Sequence, residues 1–125
     1  VSGAAPPARQ RAYRRGLTAE TRAALALMLK GYRILGRRVR TGAGEIDLVA
    51  LRGRTVAIVE VKARSELATA LEAVGPRSQA RLVRAAHAWL ARNPRYGGHT
   101  IRFDIVVVRP RRWPHHLVNA FEAAA

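Results

Sequence analysis

Asp47, Glu60 and Lys62 are the residues of this chain whose types and spacing best suit chemistry. Four of its eight carboxylates are Glu20, Glu45, Asp47 and Glu60, and Lys62, one of only two lysines, follows Glu60 by two positions. The later acids lie in Gly44-Glu45-Ile46-Asp47-Leu48-Val49-Ala50 and Val56-Ala57-Ile58-Val59-Glu60-Val61-Lys62, two apolar runs around a short turn. Side chains alternate across a strand, so Glu45, Asp47, Val49 and Leu51 share one face of the first run, and Val56, Ile58, Glu60 and Lys62 one face of the second. A two-residue hairpin turn at Arg52-Gly53 would pair Leu51 with Arg54, Asp47 with Ile58 and Glu45 with Glu60. All the charged groups then emerge on one side of the sheet, with Asp47 and Glu60 diagonal neighbours roughly 5 to 8 Å apart. Carboxylates that close repel each other, and a divalent cation relieves the repulsion. Mg²⁺ takes oxygen ligands, keeps several waters and is commonly held by one or two carboxylates plus substrate phosphates. A lysine ammonium beside the pair would stabilise charge on an attacking hydroxide or a pentavalent phosphorus. The chemistry this suggests is phosphodiester hydrolysis assisted by Mg²⁺ or Mn²⁺. Spacing alone supports equally an ion-paired cluster in which arginines or Lys62 neutralise the acids.

The elements that must position these groups follow from local signals. Thr18 suits an N-cap, Ala19 to Lys30 is rich in Ala and Leu, and Gly31 suits the left-handed residue beyond a helix end. Arg33 to Arg40 is a weaker strand, with imperfect alternation. Glu45 to Leu51 and Thr55 to Lys62 form the hairpin. Arg64 to Pro76 is an irregular crossover that allows a short helical turn. Arg77 to Arg92 is a second helix, ended by Asn93-Pro94. Ile101 to Val108 is a buried strand, and Pro110 to Pro114 breaks the pattern before a short tail. This order predicts an α/β fold with a central mixed sheet flanked by helices, the second helix crossing over into the last strand.

Composition bounds the partners. The 125 residues carry 23 basic side chains and a formal charge of +15, which attracts polyanions at long range, and Arg and Lys contacts to phosphate commonly dominate nucleic-acid affinity. Nucleic acid, most simply DNA, is the expected partner. Arginines interrupt every apolar run well short of the about 18 to 20 residues of a membrane span, so no membrane partner is expected. The Ala/Pro/Arg-rich N-terminus has no signal-peptide block, giving a cytoplasmic expectation. With no cysteine, carboxylates and histidines remain as metal ligands. Residues 1–15 read as a disordered basic arm, and residues 16–125 as one domain.

Asp47 with Glu60-Val61-Lys62 on adjacent strands resembles the PD-(D/E)XK nuclease superfamily, of restriction-endonuclease-like fold, without the proline that usually precedes the first acid. More closely, Gly16 through Ala123 resembles the YraN family of small bacterial proteins grouped with those nucleases. The likeness is carried by Gly44-Glu45-Ile46-Asp47-Leu48-Val49 and Val59-Glu60-Val61-Lys62-Ala63-Arg64. Supporting it are Gly16 with Glu20, Gly31-Tyr32-Arg33-Ile34-Leu35, Gln79 with Arg81-Leu82, Arg102-Phe103-Asp104 and Asn119-Ala120-Phe121. Ser78 stands where the family often has lysine. The resemblance implies that Asp47 and Glu60 are metal ligands, that Lys62 is the catalytic lysine, that Glu20 is the helical acid of the same site and that Gln79 lies nearby.

The remaining candidates carry two readings each. Glu20 also suits the first turn of a helix for its dipole alone, and Gln79 also suits a local hydrogen bond at a helix start. Arg77, Arg81 and Arg84 line one side of their helix and, with Arg64, are the nucleic-acid-binding candidates; a solvated face is the alternative. Glu45 and Asp104 read better as arginine partners than as ligands. His115 and His116, adjacent in an extended segment, point apart and do not suit a shared metal. Trp89 reads as core, and Trp113 as a base-stacking group or an edge cover. The functional expectation is a metal-dependent endonuclease acting on DNA, with branched repair intermediates among its substrates. An inactive DNA-binding or recruiting module of the same fold is the first alternative, and a small basic RNA-binding protein the second. Two symmetric cuts would suit a homodimer, although the sequence marks no interface.

Overall fold

A strand that is apolar on both faces needs a layer on each side, and Val56-Ala57-Ile58-Val59 and Ile105-Val106-Val107 are such segments. In the computed structural model, which describes residues 8–123 and the side-chain surroundings from Thr18 onward, both are covered in that way. The element order is α1 (Ala8–Leu29), β1 (Arg33–Thr41), β2 (Gly44–Arg52), β3 (Thr55–Ala63), α2 (Leu67–Glu72), α3 (Pro76–Arg92), a 3₁₀ turn (Pro94–Tyr96), β4 (Thr100–Val108) and β5 (His115–Phe121). The strands form one sheet in the order β1-β2-β3-β4-β5. Only the β3/β4 pair is parallel. This α/β arrangement, a mixed sheet with helices on both faces, is consistent with a restriction-endonuclease-like fold.

Helix α1 packs on one face through Ala19, Ala23, Ala24 and Leu27, against Leu48, Ala50, Ala57, Val59 and Val106. Small alanines let this helix lie close to the strands. Helix α3 covers the other face with Leu82, Ala85, Ala86 and Trp89, over Ile46, Val49, Val56, Ile58 and Phe103. Trp89 is therefore core, stacked on Tyr96. Gly31 ends α1 with φ +91°, the left-handed conformation that its lack of a Cβ permits.

Three expectations need correction. Helix α1 begins at Ala8, so residues 8–15 are helical where an arm was expected; residues 1–7 lie outside the described residues. Ala8, Arg9, Gln10, Arg11 and Ala12 are good helix formers, and one Gly16 does not interrupt a continuous helix. The β2–β3 turn is Gly53-Arg54, because Arg52 pairs with Thr55 and Val49 with Ile58. Gly53, at φ +60°, is thus the first turn residue rather than the second. Finally, the tail after Pro114 is strand β5.

Asp104 explains that last strand. It is fully buried on β4, where an uncompensated carboxylate would be costly. Arg102 donates to it from Nε at 2.9 Å and Nη2 at 2.7 Å, and His116 of β5 from Nε2 at 2.7 Å. The Asn119 backbone N–H adds a fourth donor at 2.9 Å, presented from a left-handed residue at φ +54°. Burial alone would push the Asp104 carboxyl up, but His116, Arg102 and Asn119 overcome it and hold it down at about 2. Both of these β5 contacts reach Asp104, which lies at the β4/β5 register shift between Phe103 and Ile105. The expected arginine partnership of Asp104 is thus observed. Since the folded pKa lies below the unfolded 3.8, this stabilisation is present above pH 3.8 and is lost as pH falls towards about 2. Asp104→Ala should lower unfolding free energy in urea at neutral pH by about 3 to 5 kcal/mol, because it strands Arg102. A loss of less than about 1 kcal/mol, within the range of ordinary surface changes, would contradict this account.

Candidate functional site

Asp47 and Glu60 lie where β2 and β3 part. The β2/β3 ladder runs from Arg52↔Thr55 to Leu48↔Val59. Beyond it, the Val61 N–H donates to Asp47 Oδ2 at 2.8 Å, so a side chain takes the place of a ladder carbonyl. On the other side of β2, Arg37↔Leu48 and Val39↔Ile46 are paired, and between them Arg38 adopts φ +49°. Alternation breaks at this step: Leu48 packs on the α1 face while Ile46, two residues away, packs on the α3 face. Asp47 consequently lines a cavity of about 120 Å³ with Ala19, Glu20, Arg38, Val61 and Ala63, on the α1 side. Glu60 instead meets Arg81 of α3. The charged groups therefore straddle the sheet rather than emerging on one side, a correction that follows from the irregular Arg38/Asp47 step.

Three acids are held by cations. Glu20, with its side chain 5 % exposed, lies 3.3 Å from Arg37 Nε and 3.7 Å from Arg38 Nη1. Glu60, 8 % exposed, lies 3.4 Å from Lys62 Nζ and 3.5 Å from Arg81 Nη2. Glu45 pairs with Arg38 at 3.6 Å and Arg40 at 3.8 Å, as its arginine-partner reading expects. Asp47 differs, having no ion pair among the described residues. Burial raises its carboxyl most and the Glu60 charge next; the Val61 N–H opposes them, Glu20 adds to the rise and Lys62 subtracts, leaving Asp47 at about 6.

Asp47 is thus half-protonated near pH 6 and mostly charged at neutral pH, in the field of Glu60 and Glu20, and a cation beside it would offset that repulsion. The donors are carboxylate oxygens, which suit a hard divalent ion. Among the described residues, no three His, Cys, Asp or Glu side chains are grouped closely enough to enclose a metal. The described donors therefore do not form a closed cage, and an ion here would take most of its ligands from water or substrate.

The other candidates are placed as follows. Gln79 donates from Nε2 to Val74 O at 3.1 Å, a local bond at the start of α3. Arg77 and Arg84 are exposed on α3, and Arg64 is exposed just past β3. Arg81 turns inward: besides Glu60 it donates to Glu45 O at 3.1 Å. Gly44, at φ +140°, lies against this side chain, and a Cβ there would sit 3.2 Å from Arg81 Cγ and Cδ. Hence the glycine that opens the acidic motif makes room for the arginine that neutralises its partner strand. Sequence reasoning missed Arg37 and Arg38 as partners of Glu20. The one signal was an arginine pair in an imperfectly alternating strand.

The family model described as uncharacterised protein family UPF0102 matches residues 19–108, a span containing Glu20, Asp47, Glu60 and Lys62. The chain belongs to the UPF0102 family. A UPF0102 protein of Methylorubrum extorquens is 59 % identical over 94 % of this chain and 92 % of its own length. Another, from Mesorhizobium japonicum, is 58 % identical over 90 % of each chain, and one from Parvibaculum lavamentivorans is 57 % identical over 88 % of this chain and 83 % of its own. The YraN resemblance is to this same family. No helix of this UPF0102 chain, among the described residues, is long and apolar enough to cross a membrane.

The raised Asp47 pKa has a stability consequence with a definite sign. The folded carboxyl titrates at about 6 and the free one at 3.8, so its favourable contribution is complete below pH 3.8 and is lost as pH rises through about 6. At neutral pH the charged Asp47 is a burden on the fold. Asp47→Asn keeps an acceptor for Val61 N–H and should raise stability at pH 7.5 by about 1 to 2 kcal/mol, allowing for partial exposure. Thermal unfolding at pH 4 and pH 7.5 checks this: equal melting shifts at the two pH values would contradict the assignment.

Proposed function

We propose that this UPF0102 chain binds nucleic acid and hydrolyses DNA phosphodiesters with Mg²⁺ or Mn²⁺. The observation that carries the reading is Asp47, driven to about 6 by burial and by Glu60 on the strand pair that also brings Lys62 to 3.4 Å from Glu60. Such a perturbed, crowded acid costs stability, and perturbed groups concentrate where chemistry is done. Asp47 and Glu60 would hold the ion, which when bound supplies Lewis-acid polarisation of a phosphoryl oxygen and lowers the pKa of a water. Lys62 presents its ammonium beside Glu60, where it can stabilise charge developing on phosphorus or on the incoming oxygen. Glu20 lines the Asp47 cavity and assists through that space. In the reaction a water oxygen bonds to phosphorus as the bridging P–O bond breaks, and the leaving oxygen takes up a proton.

Binding rests on charge. Arg77 and Arg84 are exposed on α3, and Arg64 is exposed just past the strand that bears Glu60 and Lys62, so phosphates can be bound without disturbing the buried arginines. The ion pairs of Glu20 and Glu60 support a second reading, a DNA-binding module whose acids serve the fold alone.

A panel of single-stranded, duplex, flapped and four-way-junction DNA separates the two. Wild type should cut at least one substrate only with Mg²⁺ or Mn²⁺, and Asp47→Ala or Lys62→Ala should reduce the rate by about 10² or more. If no substrate is cut while DNA is bound in a salt-sensitive manner, the module reading replaces the nuclease. Undiminished cutting by both variants would remove these residues from the chemistry.

A further inference from the structure

Next to the acids lies a larger cavity that the proposed chemistry does not use. It measures about 430 Å³ and is formed by the α1 residues Thr18, Ala19 and Arg22, by Ala63 to Ser65 after β3, and by Val108 to Pro110 after β4. Ala63 and Val108 are register partners at the carboxyl ends of the parallel β3/β4 pair. The crevice outside such strand ends is where open α/β sheets bind their ligands. The volume is in the range of small-molecule sites. Ala19 and Ala63 also border the cavity containing Asp47 and Glu20, so the two spaces share a wall.

The lining has a consistent chemistry. Ala19, Ala63, Val108 and Pro110 give it an apolar floor, and its charged residues are Arg22, Arg64 and Arg109, with no acid among them. These arginines are not equivalent. Arg22 donates to Arg109 O at 3.5 Å and Arg112 O at 2.6 Å, and so positions the turn that closes one side. Arg64 is exposed and donates only to Ala63 O, at 2.8 Å. Arg109 has a buried Nε with no hydrogen-bond partner among the described residues. A buried donor left unmatched is costly, and the residue that carries it is part of the pocket wall.

An apolar floor rimmed by guanidinium groups suits a flat, weakly polar body joined to a phosphate. We propose that this pocket receives one unpaired nucleotide of the DNA strand, its base on the Ala19/Ala63/Val108 floor and its phosphate on Arg64 and Arg109. This deepens the nuclease reading and rests on it: the nucleotide held here is the neighbour of the phosphate presented to Asp47 and Glu60, so the substrate is a strand with an unpaired nucleotide beside the cut. A paired base cannot enter, since unstacking must come first.

The test is fluorescence anisotropy of a labelled oligothymidylate in EDTA, where no metal-dependent cutting occurs, with unlabelled competitors. For wild type, dTMP should compete about tenfold or more better than 2-deoxyribose 5-phosphate or inorganic phosphate, the margin that contact with a base supplies. Thr18→Trp and Ser65→Trp, which fill the pocket from two different elements, should each abolish that margin. Circular dichroism and melting identify any variant that fails to fold, and either Trp variant alone suffices. Equal competition by dTMP and phosphate in wild type, or an undiminished margin in a folded Trp variant, overturns the proposal. A chain that cuts DNA but shows no margin refutes only this pocket; one with the margin and no cutting of any substrate refutes only the nuclease.

Discussion

The cost of burying carboxylates governs this structure. A basic chain can meet that cost with cationic side chains, and among the described residues it does so at four of the five buried or half-buried carboxylates, Glu20, Glu45, Glu60 and Asp104. Asp104 receives four donors and is held low, Glu20 and Glu60 each lie between two cations, and the sheet is tied together through these contacts. Asp104 fastens β5 to β4, Glu20 fastens α1 to β1, and Glu60 fastens β3 to α3. Only Asp47 is left with a backbone N–H. An evolved fold does not ordinarily keep an acid where it weakens the native state at neutral pH, so the exception points to use.

The same contacts change the meaning of the net charge of +15. Arg22, Arg37, Arg38, Arg81 and Arg102 work within the fold, on carboxylates or backbone carbonyls. The charge available to a polyanion is the exposed remainder, which includes Arg64, Arg77 and Arg84. Placement rather than number connects it to the site: Arg64 follows the strand that bears Glu60 and Lys62, and Arg109 ends the strand beside it.

Local signals made much of this legible in the sequence. The β2/β3 hairpin, the stop at Gly31 and the crossover helix follow from alternation and glycine chemistry, and the concentration of acids on β2 and β3 was visible as charge. What was not legible depends on long-range contacts. The β2–β3 turn is displaced by one residue because Gly53 and Arg54 occupy it, which changes every cross-strand partner of Asp47. The face of Asp47 depends on a left-handed Arg38 in the neighbouring strand, and no residue type announces that. Strand β5 is weak by composition and is held by Asp104, a partner that only the fold supplies. Gln79 could be read either towards the acids or towards its own helix start, and the structure gives it the second contact.

The central claim is that Asp47 and Glu60 together hold a divalent cation, and calorimetric titration of Mn²⁺ into the intact chain tests it most directly. Wild type should show one saturable site, with proton release at pH 6, where Asp47 is half-protonated, and Asp47→Ala or Glu60→Ala should show no saturable binding. Equal Mn²⁺ affinity in wild type and Glu60→Ala would contradict it.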